Sequence, residues 1–143
     1  MPYIEPKSAE IQAILRSVHT IALVGASDNP SRPSHAVMRF LQERGYKVFP
    51  VNPSLAGKVL LGETVYATLD AIPRDIDMVD VFRNSEAAGK VTDEAIAIGA
   101  KVMWMQLGVQ NFDAAERAME AGLKVVMNRC PKIELSRMHT GAG

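Results

Sequence analysis

The chain has 143 residues, a formal net charge of zero, 48% hydrophobic and 22% charged residues: enough for one domain with a sizeable core, too apolar for disorder and without the basic run of a nucleic-acid binder. Its apolar runs fall far short of the roughly 20 residues that span a bilayer, and Met1 to Ser17 carries Glu5 and Glu10 where a signal peptide would be apolar. A single cysteine, Cys130, excludes an internal disulfide framework and fits a reducing compartment, so the cytoplasm is expected.

Ser8 to Val18 places Ile11, Ile14, Leu15 and Val18 at helical spacing and predicts a short helix capped by Ser8. Thr20 to Gly25 is the first strand. Ser34 to Arg44 follows as a helix with Val37, Phe40 and Leu41 inward, ended by Gly45. Tyr46 to Val51 is the second strand, stopped by Asn52-Pro53. Ser54 to Pro73 is less regular, with one helical turn expected at Thr68 to Ile72. Met78 to Phe82, Lys101 to Gln106 and Lys124 to Met127 are the third, fourth and fifth strands. Helices over Ser85 to Ile98 and Phe112 to Ala121 separate them.

Strands that alternate with helices and read as near-continuous apolar runs belong to parallel sheets covered on both faces. The expected fold is therefore α/β and doubly wound: a single domain with a mainly parallel five-stranded sheet in the order 3-2-1-4-5. Its core spans about residues 8–138, and residues 139–143 form a loose tail. That order sets a switch point between the first and fourth strands, and a ligand is expected over the carboxyl ends there.

The most informative stretch is Thr20-Ile-Ala-Leu-Val-Gly-Ala-Ser27, followed by Pro30-Ser-Arg-Pro-Ser34 and a helix. A buried-type strand, a small-residue turn and a helix start present free backbone N–H groups to a phosphate. The dinucleotide form of this turn, G-x-G-x-x-G, is absent, because Ser27 and Pro30 stand at its second and third glycine positions. Gly25, Ala26 and Ser27 read as an anion-binding turn, against the plainer reading of a tight turn. Arg32, between two prolines, is either a phosphate contact or a solvated arginine, and Ser34 is a helix cap whose neighbouring N–H groups face the ligand.

The other strand tips carry the remaining candidates. Asn52 stands where an NAD site wants an acid for the ribose, and Lys58 follows within phosphate reach or as a solvated loop lysine. Phe82 is either an adenine platform or core. Arg83 is either a charge contact or a partner of Asp80 or Glu86. Gln106 suits an amide contact, whereas Trp104 reads as core. Cys130 reads as a small buried hydrophobe. No hydrolase order, no metal spacing among His19, His35 and His139, and no pair of carboxylates at strand tips is visible.

Val24-Gly-Ala-Ser27 with Arg32-Pro-Ser34, Gly45-Tyr-Lys-Val-Phe-Pro-Val-Asn-Pro53, Asp80-Val-Phe-Arg83, Ala97-Ile-Gly-Ala-Lys101, Trp104-Met-Gln-Leu-Gly108 and Asn128-Arg-Cys-Pro-Lys-Ile-Glu134 together resemble the small stand-alone bacterial CoA-binding proteins. These are similar to the N-terminal CoA-binding domain of the succinyl-CoA synthetase α subunit. The resemblance covers roughly residues 8–138 and implies a Rossmann-like domain that holds coenzyme A or an acyl-CoA. It implies that Gly25, Ala26 and Ser27 meet the phosphates, with Arg32, Pro33 and Ser34 behind them. Asn52, Pro53 and Lys58 would flank the adenosine and its 3′-phosphate, and Phe82, Arg83 and Asn84 would line the nucleotide. Met105, Gln106, Asn128, Cys130 and Pro131 would flank the pantetheine arm. The chain departs from the synthetase in two ways. Phe82-Arg83 replaces a proline-rich tip, and the synthetase's phosphohistidine belongs to a second domain that is not expected within these 143 residues. Binding is expected, without independent catalysis: a carrier, a sensor or an accessory subunit. A small NAD(P)-dependent oxidoreductase and a subunit of a split acyl-CoA synthetase are the alternatives. A protein partner or a homo-oligomer is compatible with all three, a nucleic-acid or membrane partner with none.

Overall fold

The structure is a computed structural model that describes residues 2–141, with side chains as far as Met138. Five parallel strands form its sheet: β1 (Thr20–Val24), β2 (Lys47–Val51), β5 (Met78–Val81), β6 (Val102–Met105) and β7 (Lys124–Val126). Strands β3 (Val59–Leu60) and β4 (Glu63–Thr64) make a small antiparallel hairpin. The helices are α1 (Ser8–Ser17), α2 (Pro33–Glu43), α3 (Ser85–Ala97), α4 (Phe112–Glu120) and α5 (Pro131–Gly141).

The α/β class, the parallel sheet and the single domain match expectation, but the strand order does not. The observed order is β2-β1-β5-β6-β7. In the numbering of the five expected strands this is 2-1-3-4-5, so the third strand pairs with the first instead of lying outside the second. The register sets Leu23 beside Asp80 and Asp80 beside Trp104. In a doubly wound sheet the crevice opens where the winding reverses. Here that is between β1 and β5, which brings the tip of β5, and not that of β6, against the first turn.

The two faces of the sheet are covered differently. Val79, Val81, Met103, Met105 and Val125 face α3 and α4, whose inward residues are mostly alanine: Ala88, Ala95, Ala114, Ala115 and Ala118. Small side chains let these helices lie close to the sheet and to each other. Ile21, Leu23, Met78, Trp104 and Val126 face α1, α2 and α5, with Ile11, Leu15, Met38 and Leu41 packed on them. Trp104 is core, as expected, and its ring N–H donates to the Arg129 carbonyl at 2.8 Å. Each such large apolar side chain, taken from water, stabilises the fold by about 1.5–3 kcal/mol.

Three local readings need correction. Helix α2 starts one residue early: Arg32 is its N-cap and Pro33 its first helical residue, so Ser34 is buried inside the first turn and caps nothing. Met38 joins Val37 and Leu41 inside, while Phe40 is half-buried with the Arg44 guanidinium 4.5 Å above its ring. The backbone after Pro131 is helical to Gly141, so part of the expected tail continues α5, and residues 142–143 lie outside the described residues. Among the described residues no helix is long and apolar enough to cross a membrane.

Candidate functional site

At the β1/β5 crevice, β1 ends in Val24 and the chain turns at Gly25, whose φ is +91°. A side chain at Gly25 would set its Cβ 3.1 Å from the Phe82 carbonyl oxygen and 3.2 Å from Arg83 Cδ. Only glycine tolerates both the dihedral and the contact. The Gly25 and Ala26 N–H groups donate to the Val51 carbonyl at 3.0 and 3.3 Å, which fixes the turn to the tip of β2. Asn52 reinforces this. Its side-chain N–H donates to the Ala26 carbonyl at 2.8 Å, and its carbonyl oxygen accepts from the Ser54 N–H at 2.8 Å.

From Ser27 onward the loop holds itself in shape. The Asn29 N–H donates to Ser27 Oγ at 3.1 Å, Asn29 Oδ1 accepts from the Ser31 N–H and hydroxyl, and the Arg32 N–H donates to the Asn29 carbonyl. The N–H groups of Ser27 and Asp28 bond to no other described group. Helix α2 then begins with no side-chain cap and no acid in its first turn. A helix start left in this state carries unsatisfied donors and the positive end of the helix dipole. It is a ready acceptor of an anion.

These elements enclose a cleft of about 690 Å3, lined by Gly25, Ala26, Ser27, Asp28, Arg32, Pro33, Ser34, Asn52, Pro53, Ser54, Leu55, Phe82 and Arg83, with Val24 and Val51 at its floor. Its size is that of a small-molecule cleft. Arg32 and Arg83 both line it, and neither makes an ion pair among the described residues. Of the two readings of Arg83, the pairing with Asp80 or Glu86 is therefore absent among the described residues. Among the described residues Asp28 is the single acid in the lining, and no imidazole or thiol lines it. The arrangement can receive an anion, and its described lining presents no nucleophile–base pair.

Of the residues expected at the site, Gly25, Ala26, Ser27, Arg32, Pro33, Ser34, Asn52, Pro53, Phe82 and Arg83 come together in this cleft. The others do not. Lys58 is exposed beyond its edge. Asn84 caps α3, accepting from the Ala87 N–H at 2.7 Å. Met105 has no exposed surface and packs toward α3 and α4. Gln106 is 7% exposed, and its buried side-chain oxygen has no partner. Asn128, at φ +58°, accepts from the Gly108 N–H at 2.7 Å and so ties the tips of β6 and β7. Cys130 is buried on the wall of a second recess of about 170 Å3, which Leu107, Asn128, Arg129 and Ile133 also line, and Pro131 is buried at the start of α5. Sequence reasoning missed Asp28, Ser54 and Leu55, although Asp28 and Ser54 directly follow residues it had selected.

A sequence model of the CoA binding domain matches residues 19–136, a span that holds all five strands of the sheet and the whole cleft. The chain belongs to this CoA binding domain family. It is 40% identical over 128 residues to the uncharacterized protein YneT of Bacillus subtilis (strain 168), covering 90% of this chain and 93% of YneT. A solved structure of a hypothetical protein from Pyrococcus horikoshii OT3 superimposes with a TM-score of 0.89 at 38% identity, over 97% of this family member and 99% of that chain. The α subunit of acetate–CoA ligase (ADP-forming) I from Pyrococcus furiosus is 27% identical over 118 residues. That match takes in 76% of this chain but 26% of the ligase subunit.

Proposed function

We propose that this protein binds coenzyme A or an acyl-CoA in the β1/β5 cleft, as a carrier, a sensor or an accessory subunit in the cytoplasm. The observation that carries the reading is the conjunction of an uncapped helix start, the unengaged N–H groups of Ser27 and Asp28, and two unpaired arginines around one cleft. A pyrophosphate on that turn gains charge-assisted hydrogen bonds and the helix dipole. Arg32 and Arg83 are then the contacts for the remaining phosphate charge, and Phe82 is the adenine wall. Membership of the CoA binding domain family favours this nucleotide among those with a pyrophosphate. The pantetheine arm would run over the tips of β5 and β6 toward the recess with Asn128 and Cys130. On that path an amide N–H of the arm would supply the donor that Gln106 lacks.

Asn52 argues against the oxidoreductase alternative. An NAD site presents a carboxylate to the ribose hydroxyls, whereas this side chain is neutral and engaged with Ala26 and Ser54. One further reading has its own support. The likeness to an acetate–CoA ligase α subunit favours a role as the CoA-binding part of a two-component synthetase, with a nucleotide-binding partner chain.

The test is to denature the purified protein and identify the released small molecule by mass spectrometry, then to follow thermal stability with CoA, acetyl-CoA, NAD and NADP. Ligand that binds only the native state raises its midpoint. Stabilisation by CoA species alone supports the proposal, and stabilisation by NAD without CoA rejects it.

A further inference from the structure

Asp80 is the third residue of the central strand β5 and is 0% exposed. Both its carboxyl oxygens are buried without a hydrogen-bond partner. Its neighbours in the sheet are Leu23 on β1 and Trp104 on β6. Since Val79 and Val81 face α3 and α4, strand alternation turns Asp80 to the other face, toward α1, α2 and α5. No charge meets it there. The residues that α1 and α2 bury are Ile11, Ile14, Leu15, Ser34, Val37, Met38 and Leu41. At the start of α5, Glu134 is already held by Arg129 and Arg137, and the other titratable groups of that layer are the Cys130 thiol and Tyr46, whose hydroxyl donates to the Leu15 carbonyl. Gln106, two residues beyond Trp104, adds a buried polar oxygen but no charge. An ionised carboxylate in these surroundings is strongly disfavoured, and burial holds this carboxyl well above the usual carboxylate range.

The strand that carries Asp80 also builds the cleft. Two residues on, Phe82 packs its carbonyl against Gly25, and Arg83 lays its side chain over the same glycine. The Phe82 N–H donates to the Val24 carbonyl at 2.8 Å, the last bond that holds β5 to β1.

We propose that Asp80 is a proton-controlled latch on the nucleotide cleft: as the neutral acid it lets β5 close on β1, and when its proton leaves to solvent the carboxylate draws the tip of β5 toward water and opens the Phe82–Arg83 wall. Along the strand the chain first becomes accessible at Phe82, two residues on, and at Asp77, three residues back, so the strain of the buried charge is released at the cleft end. Ligand bound in the closed cleft holds the proton on Asp80, and deprotonation weakens the ligand by the same factor. The latch regulates the site proposed above and rests on that assignment only for its effect on CoA.

The experiment compares wild type with Asp80→Asn, which keeps the shape and removes the ionisation. CoA affinity is measured by calorimetry, and amide exchange of the free protein is followed at Gly25, Ala26 and Phe82, whose N–H groups are hydrogen-bonded in the closed cleft, both from about pH 6 to about pH 9. In the wild type, affinity falls by about tenfold or more and the cleft amides lose protection beyond the intrinsic pH effect. Asp80→Asn binds with an affinity that stays flat and keeps its cleft amides protected at high pH. Identical pH profiles in the two proteins overturn the latch. So does a change in global stability without a change at the cleft amides, because Asp80 would then be a structural group only. Absence of CoA binding at every pH, with the exchange difference intact, supports the latch and removes the ligand assignment. Should Asp80→Asn fail to fold, a carbon-13 titration of the Asp80 carboxyl against the Phe82 and Arg83 amide shifts in wild type decides instead. Those amides must move with the carboxyl, and independent titrations reject the coupling.

Discussion

The side chain of Asn52 donates a hydrogen bond to the Ala26 carbonyl across 2.8 Å and so ties the tip of β2 to the turn that follows β1. This one contact changes what the residue is for. At the second strand tip, the family resemblance implies that this side chain flanks the adenosine and its 3′-phosphate. In the fold it is a clamp that holds the Ala26–Ser27 backbone in place, while its oxygen orders Ser54.

Asn52→Ala should therefore act through the turn. Two hydrogen bonds are lost at a half-buried position, which costs about 1–2 kcal/mol of stability. CoA affinity should fall by about tenfold, as the phosphate-facing amides lose their fixed geometry. Asn52→Asp should do no better, because it removes the donor and adds an anion beside the phosphates. Thermal unfolding and calorimetric titration read both effects, and unchanged CoA affinity in Asn52→Ala would remove the clamp from the binding account.

Gly25→Ala should destabilise the protein by about 1–3 kcal/mol, from the positive φ and the Phe82 contact together. Gly45→Ala is the control. Gly45 has a φ of +94° and nothing within 4 Å of its missing Cβ, so it pays for the dihedral alone. Gly25→Ala must be the worse of the two in urea unfolding and must also lose CoA binding. Equal destabilisation would mean that the approach of β5 to the turn relaxes freely.

The two cleft arginines should divide the phosphates. Arg32→Ala and Arg83→Ala are titrated with CoA and with 3′-dephospho-CoA, at low and high salt. Removing a guanidinium that meets a phosphate weakens CoA more at low salt, since screening already reduces the interaction at high salt. The arginine that serves the 3′-phosphate loses discrimination between the two ligands. Full discrimination in both variants would pass that role to Lys58, at present exposed beyond the cleft edge.

Ser27→Asp sets a carboxylate beside the unengaged N–H groups of Ser27 and Asp28. CoA affinity should drop at least tenfold, about 1.4 kcal/mol, with little loss of stability. A folded variant that binds as wild type would place the phosphates elsewhere.

At the opposite end of the sheet, Asp77 accepts from the N–H groups of His19 and Thr20 at 2.8 and 3.2 Å and lies 3.5 Å from the Lys101 ammonium. Burial works to raise its pKa, but the two N–H donors and Lys101 outweigh burial and hold the carboxyl below its usual range. A carboxyl lowered in the native state stabilises the fold above its unfolded value, and loses that contribution as pH falls through the native one. Asp77→Asn should therefore lower the thermal midpoint at neutral pH, converge with wild type in acid, and leave CoA affinity unchanged. A midpoint difference that persists undiminished in acid would show that the charge is not what Asp77 contributes.

What the sequence determined by itself is local. Apolar runs such as Ile21–Val24 and Val102–Met105, in strands that alternate with helices, specify parallel strands, because strands buried on both faces read that way. Gly25-Ala-Ser27 before a helix start marks the anion turn, since the signal is a contiguous stretch of backbone chemistry. Helix α5 escaped notice because Pro131 to Met138 shows no clear apolar stripe. The strand order was decided only in the folded chain. Nothing within Met78–Val81 states that it pairs with β1 and not outside β2, since pairing is a long-range choice made by packing across the whole sheet. The same choice gathered Phe82 and Arg83 against Gly25, sent Cys130 and Asn128 to a separate recess, and engaged Asn52 with Ala26. It also carried Asp80, one of two acids that in sequence could pair with Arg83, into a layer with no charge to meet it. A side chain's partner depends on which face of which neighbour it meets, and that is settled by tertiary packing alone.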